Sequence, residues 1–502
     1  MRFGYGVSAI RRAEAELMAR LPPGTLMQRA AAGLAAAGVE LLGQHAYGRR
    51  VALLVGAGDN GGDALFAGAR LARRGAMVRA VLLDPAKAHP AGLAELRAAG
   101  GDAKPAFTDE PGAAATVSAA AVGIVDTAEL ILDGIVGIGA SGALRPSAAA
   151  LVDVLAAASG AVLAVDLPSG IDPDTGAVPG PAVRADVTVT LGTYKVGLLV
   201  DPGASHAGVV HLVDIGLEPH LPAEPPVAAV QHADVIAAWP MPGDPELDKY
   251  RRGVIGVLAG SQAYPGAAVL AVGGALRGGA GMVRYVGPDR VSALVHSYWP
   301  EAVVAADLSG AGRVQAWLAG PGLGTGSDAD RRLDTVLAAD VPVLLDADAL
   351  TLLARRGSLD RTAPTLLTPH AGEAARLLGH EDRADVEAHR LAAVTELAKR
   401  YRATVLLKGT TTLVAPADPG ERPVMVNPTG TPWLATAGSG DVLAGLTGSL
   451  LAIGLDPVTA GSAGAYLHGL AARLAAESGI PITASDVLAA LPLAWRDLLA
   501  ED

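Results

Sequence analysis

The stretch that most narrows what this chain can fold into is Val51 to Asp84. A short apolar strand, Val51 to Val55, runs into the turn Gly56-Ala-Gly-Asp-Asn-Gly-Gly-Asp63. A helical pattern follows to about Arg74, then a second apolar strand, Val78 to Leu83, ending at Asp84. Strand, glycine-rich turn, helix and strand predict a βαβ unit on a parallel sheet. Gly56, Gly58 and Gly61 satisfy the GxGxxG dinucleotide pattern, and Asp84 stands where a ribose-binding acid would. Taken alone, this is the pattern of a nicotinamide-dependent dehydrogenase. The loop opposes that reading, because Asp59 and Asp63 put two carboxylates where a pyrophosphate turn prefers neutral residues. Acids, an amide and crowded glycines suit a small cation or ligand hydroxyls better. A solvated acidic turn is the plain alternative.

The same arrangement recurs downstream. Leu130 to Asp133 is a buried strand ending in an acid, followed by the flexible stretch Gly134 to Arg145. Ala161 to Val165 ends in Asp166-Leu-Pro-Ser-Gly-Ile-Asp172. Ligands of open α/β sheets bind at the carboxyl ends of strands, where Asn60, Asp133, Asp166 and Ser169 all fall. Converging oxygen-bearing side chains there can hold a hard cation and supply an acid/base group. Thr25 to Leu42 has amphipathic helical spacing, for which packing is reason enough.

Seven prolines between Gly216 and Pro245 prevent helix and central strand. They set a domain boundary near 218–228 and predict domains over 1–220 and 228–502. In the second half, strands predicted at Val254 to Ala259, Gln315 to Ala319, Val341 to Leu345 and Thr404 to Leu407 each lead into a glycine or polar cluster. Those clusters include Gly320-Pro-Gly-Leu-Gly324, Asp346-Ala-Asp348 and Lys408-Gly-Thr-Thr-Thr412, with Thr368-Pro-His370-Ala-Gly-Glu373 after a further strand. The segment Asn427 to Asp441 closes on Gly438-Ser-Gly-Asp441 and runs into the apolar Val442 to Ile453. Glycines at a helix mouth bare N–H groups at the positive end of the dipole, where phosphate oxygens are held. A carboxylate at that spot would repel phosphate, so Asp441 fits a base that takes a proton from a hydroxyl attacking a phosphoryl group. For an isolated GSGD the commoner role is a helix cap. Together with Lys408, the threonine hydroxyls and acids suited to magnesium, it composes a nucleotide site.

Composition removes whole classes of function. At 502 residues the chain exceeds one ordinary core. Its 39 basic and 51 acidic residues leave a net charge of -12, and with 3% aromatics this argues against a nucleic-acid groove or an anionic membrane surface. Zero cysteines exclude disulfides, thiolate metal sites and a cysteine nucleophile. The first residues carry charges where a secretory leader needs an apolar core, and no run is apolar enough to span a bilayer. A cytoplasmic homo-oligomeric enzyme, without nucleic-acid or membrane partners, is expected.

GDNGGD, LDGIVGIGASGALR and AVDLPSGID resemble the three motifs of the NAD(P)H-hydrate epimerase domain, which is Rossmann-like and binds potassium. The resemblance implies that Asn60, Asp133 and Ser169 contact K+, and that Asp166 is the acid/base. It implies substrate contacts from Asp59, Asn60, Gly61, Gly62 and Asp63, and from Gly137, Ile138, Gly139, Ala140, Ser141, Gly142 and Ala143. GPGLG, LDADAL, TPHAGE, KGTTT and AGSGD, in that order, resemble the ribokinase-like superfamily and more closely its NAD(P)H-hydrate dehydratase branch. That resemblance implies hydrate contacts from Ala268, Gly322, His370 and Asp441, with Asp441 catalytic. It implies nucleotide contacts from Lys408, Gly409, Thr410, Thr411, Thr412 and Gly440, with ADP (or ATP) as co-substrate and Mg2+. The chain departs from these patterns at Asp59 and Ala64, and has Asp248-Lys-Tyr-Arg-Arg-Gly253 where many members have His-Lys-Gly. The implied activity is repair of hydrated NADH and NADPH (NADHX, NADPHX): epimerisation of the R and S forms, and ADP-driven dehydration of the S form. The rival readings are a ribokinase-like small-molecule kinase fused to a Rossmann-like ligand-binding domain, a dehydrogenase, and a non-catalytic ligand-binding protein.

Overall fold

The computed structural model describes residues 1–108, 116–139, 142–239, 248–418, 420 and 422–500. The chain forms two compact units, Phe3–Pro226 and Val227–Asp502 together with Met1–Arg2. Both are α/β with largely parallel sheets, as the alternating strand and helix patterns predict.

The first unit carries helices α1 (Val7–Met18), α2 (Thr25–Leu41) and α3 (Asp59–Arg73). Its strands are β1 (Arg50–Val55), β2 (Met77–Leu82), β3 (Asp102–Pro105), β4 (Leu130–Gly134), β5 (Ala161–Val165), β6 (Val187–Leu191) and β7 (Val209–Val213). They lie in the order β3-β2-β1-β4-β5-β6-β7, all parallel. Side chains alternate across the sheet. Leu53 and Val55 enter a core with α1, α2 and α3, while Ala52 and Leu54 enter a second core with the helices Ala119–Asp126 and Pro146–Ala156. Burial on both faces is why these strands read as unbroken apolar runs. A tight turn after β6 leads to Tyr194–Lys195, which runs parallel to Gly4–Tyr5.

In the second unit the sheet strands are β8 (Val227–Ala229), β9 (Val254–Leu258), β10 (Met282–Val286), β11 (Val303–Ala305), β12 (Ala316–Ala319), β13 (Val343–Leu345), β14 (Thr365–Leu367), β15 (Thr404–Leu407), β16 (Thr412–Ala415) and β17 (Val424–Asn427). They lie in the order β11-β10-β9-β12-β13-β14-β15-β16-β17-β8. Contrary to the expectation from proline density, β8 and a helix at His232–Ala238 form within the 216–245 stretch, because 227–239 is free of proline. Pairing is parallel except where β16 lies antiparallel to both neighbours. Because β9, β12, β13, β14 and β15 are adjacent and parallel, motifs scattered along the sequence come out at one sheet edge. Helices α4 (Pro265–Arg277), α5 (Asp348–Arg356), α6 (Ala371–Leu378), α7 (Arg390–Tyr401), α8 (Ser439–Ala452), α9 (Pro457–Ala475) and α10 (Ala484–Ala500) complete it. α4 and α8 pack so closely that a Cβ on Gly445 would stand 2.0 Å from the Ala271 carbonyl oxygen, and one on Gly274 2.3 Å from that of Val442. Small residues here serve helix contact, which accounts for much of the glycine content of this segment.

Candidate active sites

In the first unit the predicted residues come from the carboxyl ends of the adjacent strands β1, β4 and β5. The glycines of GAGDNGG are dictated by close packing. A Cβ on Gly56 would lie 1.8 Å from the Ile135 carbonyl oxygen, and one on Gly61 2.3 Å from that of Gly56. Gly58 has φ +95° and precedes the first residue of α3, Asp59. Asp59 is exposed, Asn60 half-buried, and Gly61, Gly62 and Asp63 buried. The Gly137 backbone comes close enough that a Cβ there would be 2.9 Å from Asn60 Oδ1. Gly137 and Ile138 are half-buried, whereas Gly139, Gly142 and Ala143 are exposed; Ala140 and Ser141 lie outside the described residues. Asp84 is at the surface, 2.9 Å from Lys87 in an ion pair, and takes no part in this site.

Asp133 is fully buried. Its Oδ1 accepts from the Ser169 hydroxyl at 2.7 Å and the Ile135 N–H at 3.2 Å, and its Oδ2 from the Ser169 N–H at 2.8 Å. Burial pushes its carboxyl up to about 6 against those bonds. No basic group pairs with it among the described residues, and Asn60 Nδ2 is buried without a partner. Asp166 sits at φ +66°, a strained conformation for a residue other than glycine. Its Oδ1 accepts the Leu191 N–H at 3.0 Å and is ion-paired with Lys195, which is 1% exposed.

The second site gathers at the edge formed by β12, β13, β14 and β15. Gly438, at φ +87°, caps α8, so Ser439, Gly440 and Asp441 form its first turn. Lys408 Nζ lies 2.8 Å from Asp346 Oδ1 and 3.6 Å from Glu373 Oε2. A Cβ on Gly440 would be 3.4 Å from the same ammonium. Burial alone would lower the Lys408 pKa, but Asp346, Glu373 and Asp441 hold it above the ordinary value. Burial first, then Asp346, push the Asp441 carboxyl up to about 7. Between Asp346 and Asp348, Ala347 has φ +50°; the Asp348 carboxylate accepts the Gly324 N–H at 2.8 Å, tying GPGLG to this segment. Gly322, at φ +59°, abuts Tyr264 and Ala267.

Other predicted residues have more structural occupations. His370 caps α6: its Nδ1 accepts the Gly372 and Glu373 N–H groups at 3.0 and 3.3 Å, and its Nε2 lies 3.6 Å from Glu373 Oε1. Burial lowers its pKa against the pull of Glu373. Ala268 is fully buried, so its side chain offers a ligand nothing. In KGTTT, Gly409 and Thr410 are exposed, whereas Thr411 and Thr412 are buried. The Thr412 hydroxyl donates to the Gly409 carbonyl at 3.2 Å, closing the turn.

Three contributions escape sequence reasoning. Lys195 follows a strand of alternating valine and threonine, and its position at that strand's end was the available signal. Glu14 on α1 is close enough to Lys195, Asp166 and Asp59 for their charges to act on it. Arg390 on α7 donates to the carbonyls of Leu407, Lys408 and Thr411 at 3.3, 3.1 and 3.1 Å, clamping the KGTTT turn from beneath. A lone arginine in an amphipathic helix has nothing local to mark it.

Comparison with known proteins joins these two sites in one family. Residues 255–493 match the family described as NAD(P)H-hydrate dehydratase, and residues 23–197 match the YjeF-related protein N-terminus. A bifunctional NAD(P)H-hydrate repair enzyme from Mycobacterium leprae is 48% identical over 97% of this chain and 97% of its own length. The enzyme of that name from Mycobacterium tuberculosis is 50% identical over 91% of this chain and 90% of its own. Among solved structures, an ADP/ATP-dependent NAD(P)H-hydrate dehydratase from Bacillus subtilis, co-crystallized with ATP/Mg2+, is 33% identical over 53% of this chain and 97% of that one, with a TM-score of 0.49. No helix among the described residues is long and apolar enough to cross a membrane. By relatives that match nearly its whole length, the chain belongs to the bifunctional NAD(P)H-hydrate repair enzymes.

Proposed function

We propose that the two sites act in sequence on one damaged cofactor. The first interconverts R- and S-NAD(P)HX, and the second dehydrates the S form to NAD(P)H at the expense of ADP, giving AMP and phosphate. The observation that carries this reading is the pair of carboxylates, the buried Asp166 and the half-buried Asp441, each next to a lysine at a strand-end crevice of its own unit.

In the second site, water added to the dihydronicotinamide ring leaves a hydroxyl, a poor leaving group. Asp441, with its carboxyl raised to about 7, is tuned to take that proton near neutral pH. The terminal phosphoryl group of the nucleotide then passes to the oxygen with release of AMP, phosphate departs with its bonding electrons, and loss of a proton from the neighbouring ring carbon re-forms the double bond. The Gly438–Asp441 amides face the transferring group, with Gly440 and Lys408 to Thr412 holding the remaining phosphates; such preorganised donors are worth roughly 3–4 kcal/mol each. Gly322, His370 and the Ala268 backbone border the hydrate.

Mg2+ would supply charge neutralisation on the phosphates. Among the described residues no three acidic or histidine side chains converge as a metal cage. That fits a magnesium ion brought in by phosphate and water with one or two carboxylates, as this cation usually is. Asp346 and Asp348 are the residues suited to it.

In the first site, Asp166 is the acid/base, and the 59–63 and 137–143 segments border the hydrate. A K+ ion held by Asn60, Asp133 and Ser169 would balance charge there. The donors fit: all offer oxygen, and Asp133 is a buried carboxylate without a cationic partner among the described residues. A homo-oligomer in the cytoplasm completes the proposal.

The test is to mix the protein with epimeric NADHX, magnesium, potassium and ADP, and follow the return of dihydronicotinamide absorbance. Recovery of both epimers with AMP and phosphate released is expected. Recovery of only one removes the epimerase assignment. No recovery with ADP or ATP returns the second unit to the kinase reading.

A further inference from the structure

Asp63 has so far been assigned only to substrate contact, yet its surroundings differ sharply from those of Asp166. We propose that Asp63 is the proton donor that works with Asp166 in epimerisation, and that Lys195 is the positioning residue that keeps Asp166 as the base. The proposal rests on the epimerase reading of the first unit.

Lys195 is spent on one side of the site. An ammonium has three N–H donors, and Asp166 Oδ1, Thr190 Oγ1 at 3.1 Å and the Leu191 carbonyl at 2.9 Å take all three. Asp166 is thereby paired with a cation and held in one orientation. The Leu191 N–H and, at 3.5 Å, the Thr190 hydroxyl also donate to its Oδ1, so that oxygen is anchored three times, whereas Oδ2 has no hydrogen-bond partner among the described residues. One oxygen orients the group and the other is open to a proton.

Asp63 has none of this support. It is 7% exposed, its Oδ1 is buried without a hydrogen-bond partner, and no cation pairs with it among the described residues. An unpaired charge there would be costly, so the acid form is favoured. Burial, followed by the charges of Asp166, Asp59 and Glu14, pushes its carboxyl well above the ordinary range, and Lys195 offsets this only weakly. These charges come from α1, from the start of α3, from the end of β5 and from the turn after β6. On the remaining side His89 lies against Gly62, with its Nδ1 occupied by the Gly92 N–H. Two carboxyls at one site, one paired with a lysine and the other buried without a cation, are a pattern of acid/base division.

The division suits the chemistry. In the hydrate the hydroxyl-bearing carbon is bonded to the ring nitrogen. Asp166 takes the hydroxyl proton, the oxygen's electrons form a carbonyl, and the carbon–nitrogen bond breaks with its pair going to nitrogen. Asp63 gives its proton to that nitrogen. Rotation of the aldehyde and the reverse transfers close the ring on the other carbonyl face. Asp63 regains its proton, Asp166 returns one to oxygen, and no co-reactant is consumed.

The test is the pH dependence of kcat for interconversion of the separated epimers, without nucleotide, followed by chromatography with the enzyme-free rate subtracted. Wild-type kcat should fall on an alkaline limb as Asp63 ionises. Asp63→Asn should lose about 100-fold or more in kcat, with little change in KM, and lose the alkaline limb. Lys195→Gln should lower kcat by about 10-fold to 100-fold with little change in KM, and Lys195→Arg should restore most of it. A purely structural lysine would show instead as a lower melting temperature, with the kcat of the folded protein unchanged. A wild-type profile without an alkaline limb overturns the proposal, and needs no variant to fold. So does an Asp63→Asn protein with near-wild-type kcat. Wild-type protein that interconverts nothing at any pH overturns the epimerase reading beneath it.

Discussion

At the scale of single residues, Asp441 and Asp166 are the groups proposed to divide the chemistry. Asp441→Asn should lower dehydration by about 100-fold to 10,000-fold, because the attacking hydroxyl keeps its proton. Titration calorimetry should find hydrate binding largely intact, and wild-type turnover would refute the assignment. In the wild type, kcat for dehydration should fall as pH drops through about 7, where the carboxylate protonates. The same shift has a stability consequence. The folded pKa, about 7, lies above the ordinary value of 3.8, so the folded state resists ionisation. Stability is lost as pH rises from about 4 through about 7. Thermal melts should therefore show Asp441→Asn more stable than wild type at pH 8 and nearly equal at pH 4. For the first site, replacing K+ by tetramethylammonium should slow epimerisation and spare dehydration, because only a small cation can reach Asn60, Asp133 and Ser169. Equal epimerisation rates in the two salts would remove the ion from the proposal.

At the scale of elements, contact between helices α4 and α8 supports the second site. Asp441 is in the first turn of α8, and the same helix buries Gly445 against the α4 backbone. A methyl group at Gly445 would meet a carbonyl oxygen at 2.0 Å, which no side-chain motion relieves. Gly445→Ala should cost roughly 1–3 kcal/mol of stability and shift the α8 mouth, so dehydration falls while epimerisation persists. An unchanged melting temperature would mean that the helices part freely. Sequence reasoning recognised the elements near this site because apolar strands and glycine turns are local signals. Val51 to Val55, Ala161 to Val165 and Thr404 to Leu407 were legible to within a residue. The antiparallel placement of β16 between β15 and β17 was not, since pairing direction depends on where the chain returns.

At the scale of the whole molecule, two activities in one polypeptide can be separated and recombined. Asp166→Asn should leave dehydration of the S epimer intact and lose epimerisation, and Asp441→Asn the reverse. Mixed together, the two variants should again recover both epimers, followed as dihydronicotinamide absorbance. Failure of the mixture, with each single activity present, would mean that hydrate does not pass through solution between proteins. The sequence by itself determined the fold class and the strand-end clusters, and brought out Asp166 and Asp441 as candidates, because backbone turns and apolar runs are written in neighbouring residues. Only the tertiary structure decided that Lys195 is committed to Asp166, that Asp63 is buried without a cation, and that Arg390 clamps the KGTTT turn. It also decided that Thr411, Thr412 and Ala268 are largely enclosed. The reason is physical: burial, charge pairing and the resulting proton affinities depend on groups far apart in the chain, and these distances exist only after the sheets have formed.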